Sequence, residues 1–443
     1  MPNYQRYETK QIECWKKAEE LRRSHRRHIF EAQAQGELLI HGMCYFHGML
    51  NGMGDYAITE YTPYFRALMS DTKEAIRTHE IAEARGFGQD ICSSMRCHLG
   101  ALFQGFGLIN KEGVRVKPDF VFQGLPCTTL AKTSQIYADY WGIPYFTMDI
   151  PSQDSPATMD YLVAELQEAI EWMEKITGRE FDDERLLHGA RNEWRGLSLF
   201  AQILDLCRAV PSPLDARHLF ALQVPLVLVR QRDDVIQLYE EMLEETKERV
   251  RQGISARGYE TCRLIHGGFP PMFYMGILRY PSQFGGVYVG GDLIHIYAAW
   301  DTLDLKNRDW VAAPATPEEA GHTLRTREDA LRMLADLYIR RRPHMCRVEA
   351  KAEEYVKLAQ GWKADAFVIH IDRGCKNLQA GVLEAKLSLE EAGIPTLLYE
   401  GSGYDPRDLS ESQVLDRFDA FMENLGLPRI GEEEKRSGYG VVR

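Results

Sequence analysis

The sequence has no apolar run approaching the roughly 20 residues that a helix needs to span a bilayer, and it opens on polar MPNYQRYETKQIECWKK, not on a signal peptide. These absences set the expectation of a soluble, cytoplasmic protein with no membrane role. A basic balance is missing as well: 53 Lys+Arg face 65 Asp+Glu, for a formal net charge of -12. Phosphate backbones are gripped by basic faces, so nucleic acid is excluded as the main partner. No GxxxxGK[ST] occurs, hence no P-loop for ATP, and GxSxG, HExxH and EF-hand loops are absent too. The glycine-rich GGVYVGGD at 285–292 lacks the strand–GxGxxG–helix setting of a dinucleotide site.

Nine cysteines are present, at 14, 44, 92, 97, 127, 207, 262, 346 and 375, and no two form a CxxC pair. Zinc ribbons and bacterial ferredoxin sites are thereby excluded. In a reducing compartment such thiols serve as core residues, nucleophiles or metal ligands before they serve as disulfides. Any metal chemistry is assembled from distant parts of the chain.

With 443 residues, 44% hydrophobic and 27% charged, the chain is long enough for two or three domains. Residues 1–34 read as a charged helical arm, with Arg22, Arg23, Arg26 and Arg27 forming a solvated face or a dock for an acidic group. A first α/β domain is expected over 35–155, a helical region over 156–258 and a second α/β domain over 259–443. Within the first domain, Glu37–Gly42 reads as a strand, and an irregular stretch with Cys44 and His47 follows it. Asp71 is placed to cap a helix running to about Ala84, and Asp90 one that opens at Ile91. Cys92 and Cys97 fall on that second helix about 500° apart, so they do not share a face. Helical periodicity marks Tyr161–Thr177, Asp183–Ala209, Asp233–Gly253 and Ser410–Leu425. Thr261–Gly267 and 284–292 read as strands, and GEEEKRSGYGVVR as a loose tail.

An internal repeat carries more information than any single motif. KPDFVFQGLPCTTLAKTSQIYADYWGIPYFTMDIP (Lys117–Pro151) and KADAFVIHIDRGCKNLQAGVLEAKLSLEEAGIPTLLYEG (Lys363–Gly401) share a plan. Each has Lys-x-Asp, an apolar strand, a turn with one cysteine, an amphipathic helix, Gly-Ile-Pro and a strand ending in an acid, Asp149 or Glu400. Such a strand–helix–strand unit has a right-handed crossover. Cys127 and Cys375 therefore stand where a strand ends and a helix begins, at the edge where open α/β sheets bind ligands. Helix N-termini also lower thiol pKa values. Two readings stay open: thiols facing one another across a cleft, or small residues filling two tight turns. His41 and His47, flanking Cys44, read as metal ligands or as ordinary hydrogen bonders. Arg340, Arg341 and Arg342 read as a phosphate grip or a basic helix end.

The blocks DICSSMR (Asp90–Arg96), PDFVFQGLPCTTLAK…GIPYFTMDIP and DAFVIHIDRGCKN…GIPTLLYEGSGYDPRD together resemble the 2-hydroxyacyl-CoA dehydratase and ATP-dependent benzoyl-CoA reductase family, from about Glu37 to Gly426. The resemblance implies an α/β fold of two Rossmann-like (flavodoxin-like) domains with parallel sheets plus a helical region. It also implies one [4Fe–4S] cluster held by three cysteines with one open iron, in the cleft between domains. Position by position these are Cys92, with Ser93 and Arg96 in place, Cys127 and Cys375. Cys97 has no counterpart, Thr128 stands where an acidic residue is expected, and Cys44 is the alternate to Cys92. The implied activity is that of the cluster-bearing subunit of a benzoyl-CoA (aryl-CoA) reductase, dearomatising the ring through a ketyl radical anion. A 2-hydroxyacyl-CoA dehydratase subunit is the alternative. The implied partners are a homologous second catalytic subunit, ferredoxin, and an activator that holds ATP and a second [4Fe–4S] cluster. A metal-free two-domain binding or scaffold subunit is the remote alternative. His47 and His370, near predicted strand ends, are the candidates for proton supply.

Overall fold

The computed structural model describes residues 4–42, 45–59, 71–105, 113, 115–125, 127–151, 155–301, 310–339 and 348–430. Cys44, Cys346, Arg340–Arg342 and the tail from 431 lie outside the described residues.

Two four-stranded sheets, parallel throughout, organise the chain. The first holds β1 (Leu38–His41), β2 (Tyr56–Thr59), β3 (Phe120–Leu125) and β4 (Tyr145–Asp149) in the order β2-β1-β3-β4. The second holds β5 (Cys262–Gly267), β6 (Gly286–Gly291), β7 (Ala366–Asp372) and β8 (Thr396–Gly401) in the order β6-β5-β7-β8. The two orders are identical, so the duplication is wider than the strand–helix–strand unit read from sequence. That unit is the second half of a repeated four-strand module. β2 is the strand sequence reading missed: it is four residues long and buried throughout, so it shows no alternation to detect.

The repeated residues have repeated jobs. Asp119 accepts the Leu39 amide at 2.7 Å and returns its own N–H to the Leu39 carbonyl, pinning β3 to β1. Asp365 does the same to Arg263, pinning β7 to β5. In each Gly-Ile-Pro, the glycine takes the left-handed conformation that ends a helix, at φ 60° for Gly142 and 78° for Gly393. The isoleucine N–H then reaches back to Ala138 or Leu389, and the proline carbonyl accepts the first ladder bond of the neighbouring strand. The copies differ inside the helix. Helix Thr128–Trp141 is continuous, whereas the second copy breaks into Lys376–Gln379 and Val382–Glu391 around Gly381 at φ 74°.

Between the sheets lie helices Pro156–Thr177, Asp183–Leu206, Ala216–Leu222, Val224–Val229 and Asp233–Gln252. The second of these has the most buried residues of the five, and one apolar cluster runs from it into both sheets. Its Trp194 donates to the Pro314 carbonyl, and its buried Glu193 accepts the Gly48 amide at 2.7 Å and the Tyr338 hydroxyl. Full burial of side chains this size is worth about 1.5–3 kcal/mol each, so this layer dominates cohesion. The N-terminal arm is integrated: helix Trp15–Glu31 follows a turn whose Glu13 and Cys14 amides cap onto Glu245. Of its arginines, Arg23 and Arg27 pair with Glu19 and Glu20 at the surface. No helix among the described residues is long and apolar enough to cross a membrane.

Candidate functional site

Four described helices begin on a cysteine; Cys14 starts the N-terminal one, and the other three gather around the two sheets. Cys127 follows β3 as the N-cap of Thr128–Trp141, and Cys375 follows β7 as the N-cap of Lys376–Gln379. Cys92 is the N-cap of Ser93–Gln104. This last helix starts two residues later than the Asp90 cap predicted from sequence, because a turn closed by Ile91 N–H on the Gly88 carbonyl comes first. Asp71, by contrast, caps its helix as expected, accepting from Lys73 and Glu74. In sheets of this order β3 and β7 stand beside the strands where the winding reverses, which is where such sheets open a crevice.

The structure brings the three thiols into one neighbourhood, each half-buried. Cys92 and Cys127 share an apolar wall formed by Met95 and Leu130. Cys92 and Cys375 feel one another: the Cys92 thiol lowers Cys375, and the same interaction, with burial, raises Cys92. Burial raises Cys127, opposed by the amides of Leu130 and Thr129. The amides of Leu378 and Asn377 likewise favour the Cys375 thiolate. Helix N-terminal dipoles thus aim at all three sulfurs without a formed capping hydrogen bond. Cys97 points elsewhere, packed with Ala75 and Tyr404, and burial raises its thiol.

Around the thiols stand residues to which sequence reading attached no role. Asp372 ends β7; its carboxylate accepts the Gly374 amide, and burial pushes its pKa up to about 6. Tyr404 is buried, with its ring 5.2 Å from that of Phe269. Gly374 lets the two modules touch: a Cβ there would lie 3.0 Å from the Ile91 carbonyl oxygen and 3.2 Å from Cys92 Cα. Gly374→Ala is therefore expected to push the Cys375 turn off Cys92 and to cost about 1–3 kcal/mol of stability, as overpacking does. An unchanged urea midpoint would contradict this. The signal for these residues was latent in DRGCKN and GSGYDPRD, but nothing local says which remote backbone they meet.

The predicted histidines are enclosed. His370 is fully buried at Nδ1 against the Phe269 carbonyl, its ring stacked on Tyr399, and burial lowers its pKa to about 4. His47 sits between the Tyr56 hydroxyl and the Val227 carbonyl, 3.0 Å away from the latter. His41 bonds Thr59 Oγ1 at 2.8 Å and stacks flat on Tyr137. Among the described residues, no three His, Cys, Asp or Glu side chains gather closely enough to hold one metal ion.

Comparison with known proteins gives the family. The family described as "2-hydroxyglutaryl-CoA dehydratase, D-component" matches residues 49–425. The (R)-2-hydroxyisocaproyl-CoA dehydratase alpha subunit of Clostridioides difficile is 24% identical over 383 residues, 84% of each chain. The lactoyl-CoA dehydratase alpha subunit of Anaerotignum propionicum is 24% identical over 371 residues, 80% of this chain and 82% of that one. A benzoyl-CoA reductase subunit of Thauera aromatica is 22% identical over 381 residues, 82% of this chain and 81% of that one. With its matched span covering most of the sequence, the chain belongs to the 2-hydroxyglutaryl-CoA dehydratase D-component family, whose relatives include dehydratase and benzoyl-CoA reductase subunits.

Proposed function

We propose that this chain is the iron–sulfur subunit of an oxygen-sensitive enzyme acting on an acyl-CoA thioester, with Cys92, Cys127 and Cys375 as the ligands of one [4Fe–4S] cluster. The observation that carries the proposal is the convergence of three half-buried thiols, each at the start of a different helix. The donor set fits the group: thiolates are its ligands, helix dipoles favour the thiolate form, and the sulfurs share one region without closing on a single ion's shell. Held by Cys92, Cys127 and Cys375, such a cluster would supply single low-potential electrons at the site.

The chain's own contribution is enclosure and orientation. Met95 and Leu130 keep water from two of the sulfurs, and Phe269 and Tyr404 close the neighbouring wall. A dry site strengthens each electrostatic contact made inside it. His370 enters this reading as a neutral group: it fixes the end of β7 through the Phe269 carbonyl, and any proton it passes travels through its Nε2, which faces Gly401, while His47 is held by the Tyr56 hydroxyl and the Val227 carbonyl.

Between the two chemistries, elimination of water from a 2-hydroxyacyl-CoA is the first reading, since the relatives of higher identity carry dehydratase names. Ring reduction of benzoyl-CoA, preferred from the sequence alone, is the second, supported by the match to the Thauera aromatica reductase chain. Because these relatives are named as single subunits of larger enzymes, the reading includes a working complex with a second, homologous subunit and an ATP-hydrolysing activator fed by ferredoxin. The test is turnover by the complete complex, prepared without oxygen. Loss of water from lactoyl-CoA or 2-hydroxyisocaproyl-CoA with no ring reduction of benzoyl-CoA supports the first reading; the opposite pattern replaces it with the second.

A further inference from the structure

Arg96 is one turn into the helix that Cys92 caps, and its amide bonds the Cys92 carbonyl at 2.9 Å. Its side chain is 0% exposed, an unusual place for a guanidinium, and each of its three nitrogens donates. Nη2 meets Asp405 Oδ2 at 2.5 Å, Nε donates to His79 Nδ1 at 3.1 Å, and Nη1 reaches the Gly88 carbonyl at 3.4 Å. His79, accepting at Nδ1, donates from Nε2 to the Tyr404 carbonyl at 2.9 Å. Burial holds it neutral, as that role requires. Asp405 is also fully buried and takes Arg407 at 2.7 Å, which in turn holds Glu83. The loop after β8 is thus fastened to both helices 72–83 and 93–104.

The ring of contacts closes on the other thiol. The loop leaves β8 at Gly401, whose carbonyl accepts the Arg373 amide at 3.0 Å, two residues before Cys375. From Cys92 through Arg96, Asp405 and Gly401 to Cys375, every step is a covalent segment or a hydrogen bond. Gly374 supplies the direct contact on the opposite side.

We propose that Arg96 is a positioning residue: gripping Asp405 across the two modules, it sets the separation of Cys92 from Cys375. A buried ion pair of this kind adds little net stability compared with an apolar pair, and Asp405 keeps Arg407 as a partner when Arg96 is removed. Its use here is geometric. Arginine's planar fork serves two acceptors at once, and lysine's single ammonium does not. The inference deepens the cluster reading and rests on Cys92 and Cys375 acting together, but its first test needs no iron.

That test bridges the two thiols in the metal-free full-length chain with dibromobimane, which fluoresces when both its bromines are displaced by neighbouring thiols. Mass spectrometry assigns the bridge. Wild type and the control Arg332→Gln, which breaks only exposed pairs with Asp160 and Glu328, are expected to bridge Cys92 to Cys375 alike. Arg96→Gln is expected to bridge about tenfold less while keeping its far-ultraviolet dichroism, because the shorter amide no longer ties the Cys92 helix to Asp405, which stays paired with Arg407. Equal bridging in a folded Arg96→Gln overturns the proposal. If that variant does not fold, Arg96→Lys decides: reduced bridging supports the proposal and wild-type bridging overturns it. In the iron-loaded complex, the EPR signal of reduced Arg96→Lys is expected to shift where that of Arg332→Gln does not, a change that a loss of stability alone does not produce. Absence of iron from the wild type would defeat the cluster reading and leave the bridging experiment to decide this one.

Discussion

Cys92→Ser, Cys127→Ser and Cys375→Ser are each expected to lose the bound iron and, with it, turnover down to background, while Cys97→Ser and Cys262→Ser keep both. The contrast follows from where the sulfurs point. The first three cap helices around one partly open region and feel one another's charge. Cys97 is packed against Ala75 and Tyr404, and Cys262 is enclosed in β5, where burial pushes its thiol up to about 12. Neither of these two sulfurs stands with the other three at the partly open region, so each is a core residue. Serine is nearly isosteric, so loss of iron in the first set without loss of fold isolates ligation from packing. The check is iron per chain beside the urea midpoint for all five variants. Iron retained in any of the first three sets that residue outside the ligand group.

Mild acid is expected to unfold the chain well before ordinary, exposed carboxylates titrate. His25, His41, His266 and His295 are fully buried, and burial lowers each to about 3; His370 is lowered to about 4. In the unfolded chain each protonates near 6.5. A group whose folded pKa is depressed contributes stability that is complete above the unfolded value and is lost as pH falls toward the folded one. Each such histidine therefore removes about 1.4 kcal/mol per pH unit below 6.5. Five acting together remove about 10 kcal/mol by pH 5, comparable with the whole stability of an ordinary domain. The urea midpoint followed by circular dichroism is expected to be level from pH 8 to 7 and to collapse between about 6.5 and 5. A midpoint that stays level down to pH 5 contradicts this account of the buried imidazoles.

How much of this was legible in the sequence follows from the range of the interactions. The Gly-Ile-Pro repeat was legible because helix stop, back-bonded isoleucine and strand-leading proline are consecutive, and both copies execute them alike. It placed Cys127 and Cys375 correctly at strand-to-helix turns. Cys92 was legible only through resemblance, and its helix starts later than Asp90 suggested because the turn at Gly88 intervenes. β2 escaped because four buried residues carry no period. The shared strand order escaped because register between parallel strands is set by contacts remote in sequence. Arg96 and Asp405 are 309 residues apart, and nothing local to DICSSMR or GSGYDPRD says that they meet.

The most direct test of the central claim is the iron and acid-labile sulfide content of the wild-type chain, purified without oxygen together with its partner subunit, with EPR after reduction. About four irons and four sulfides per chain, with a cluster signal, is the predicted result. An intact, oxygen-free complex containing no iron contradicts it, and leaves Cys92, Cys127 and Cys375 as small residues filling three turns.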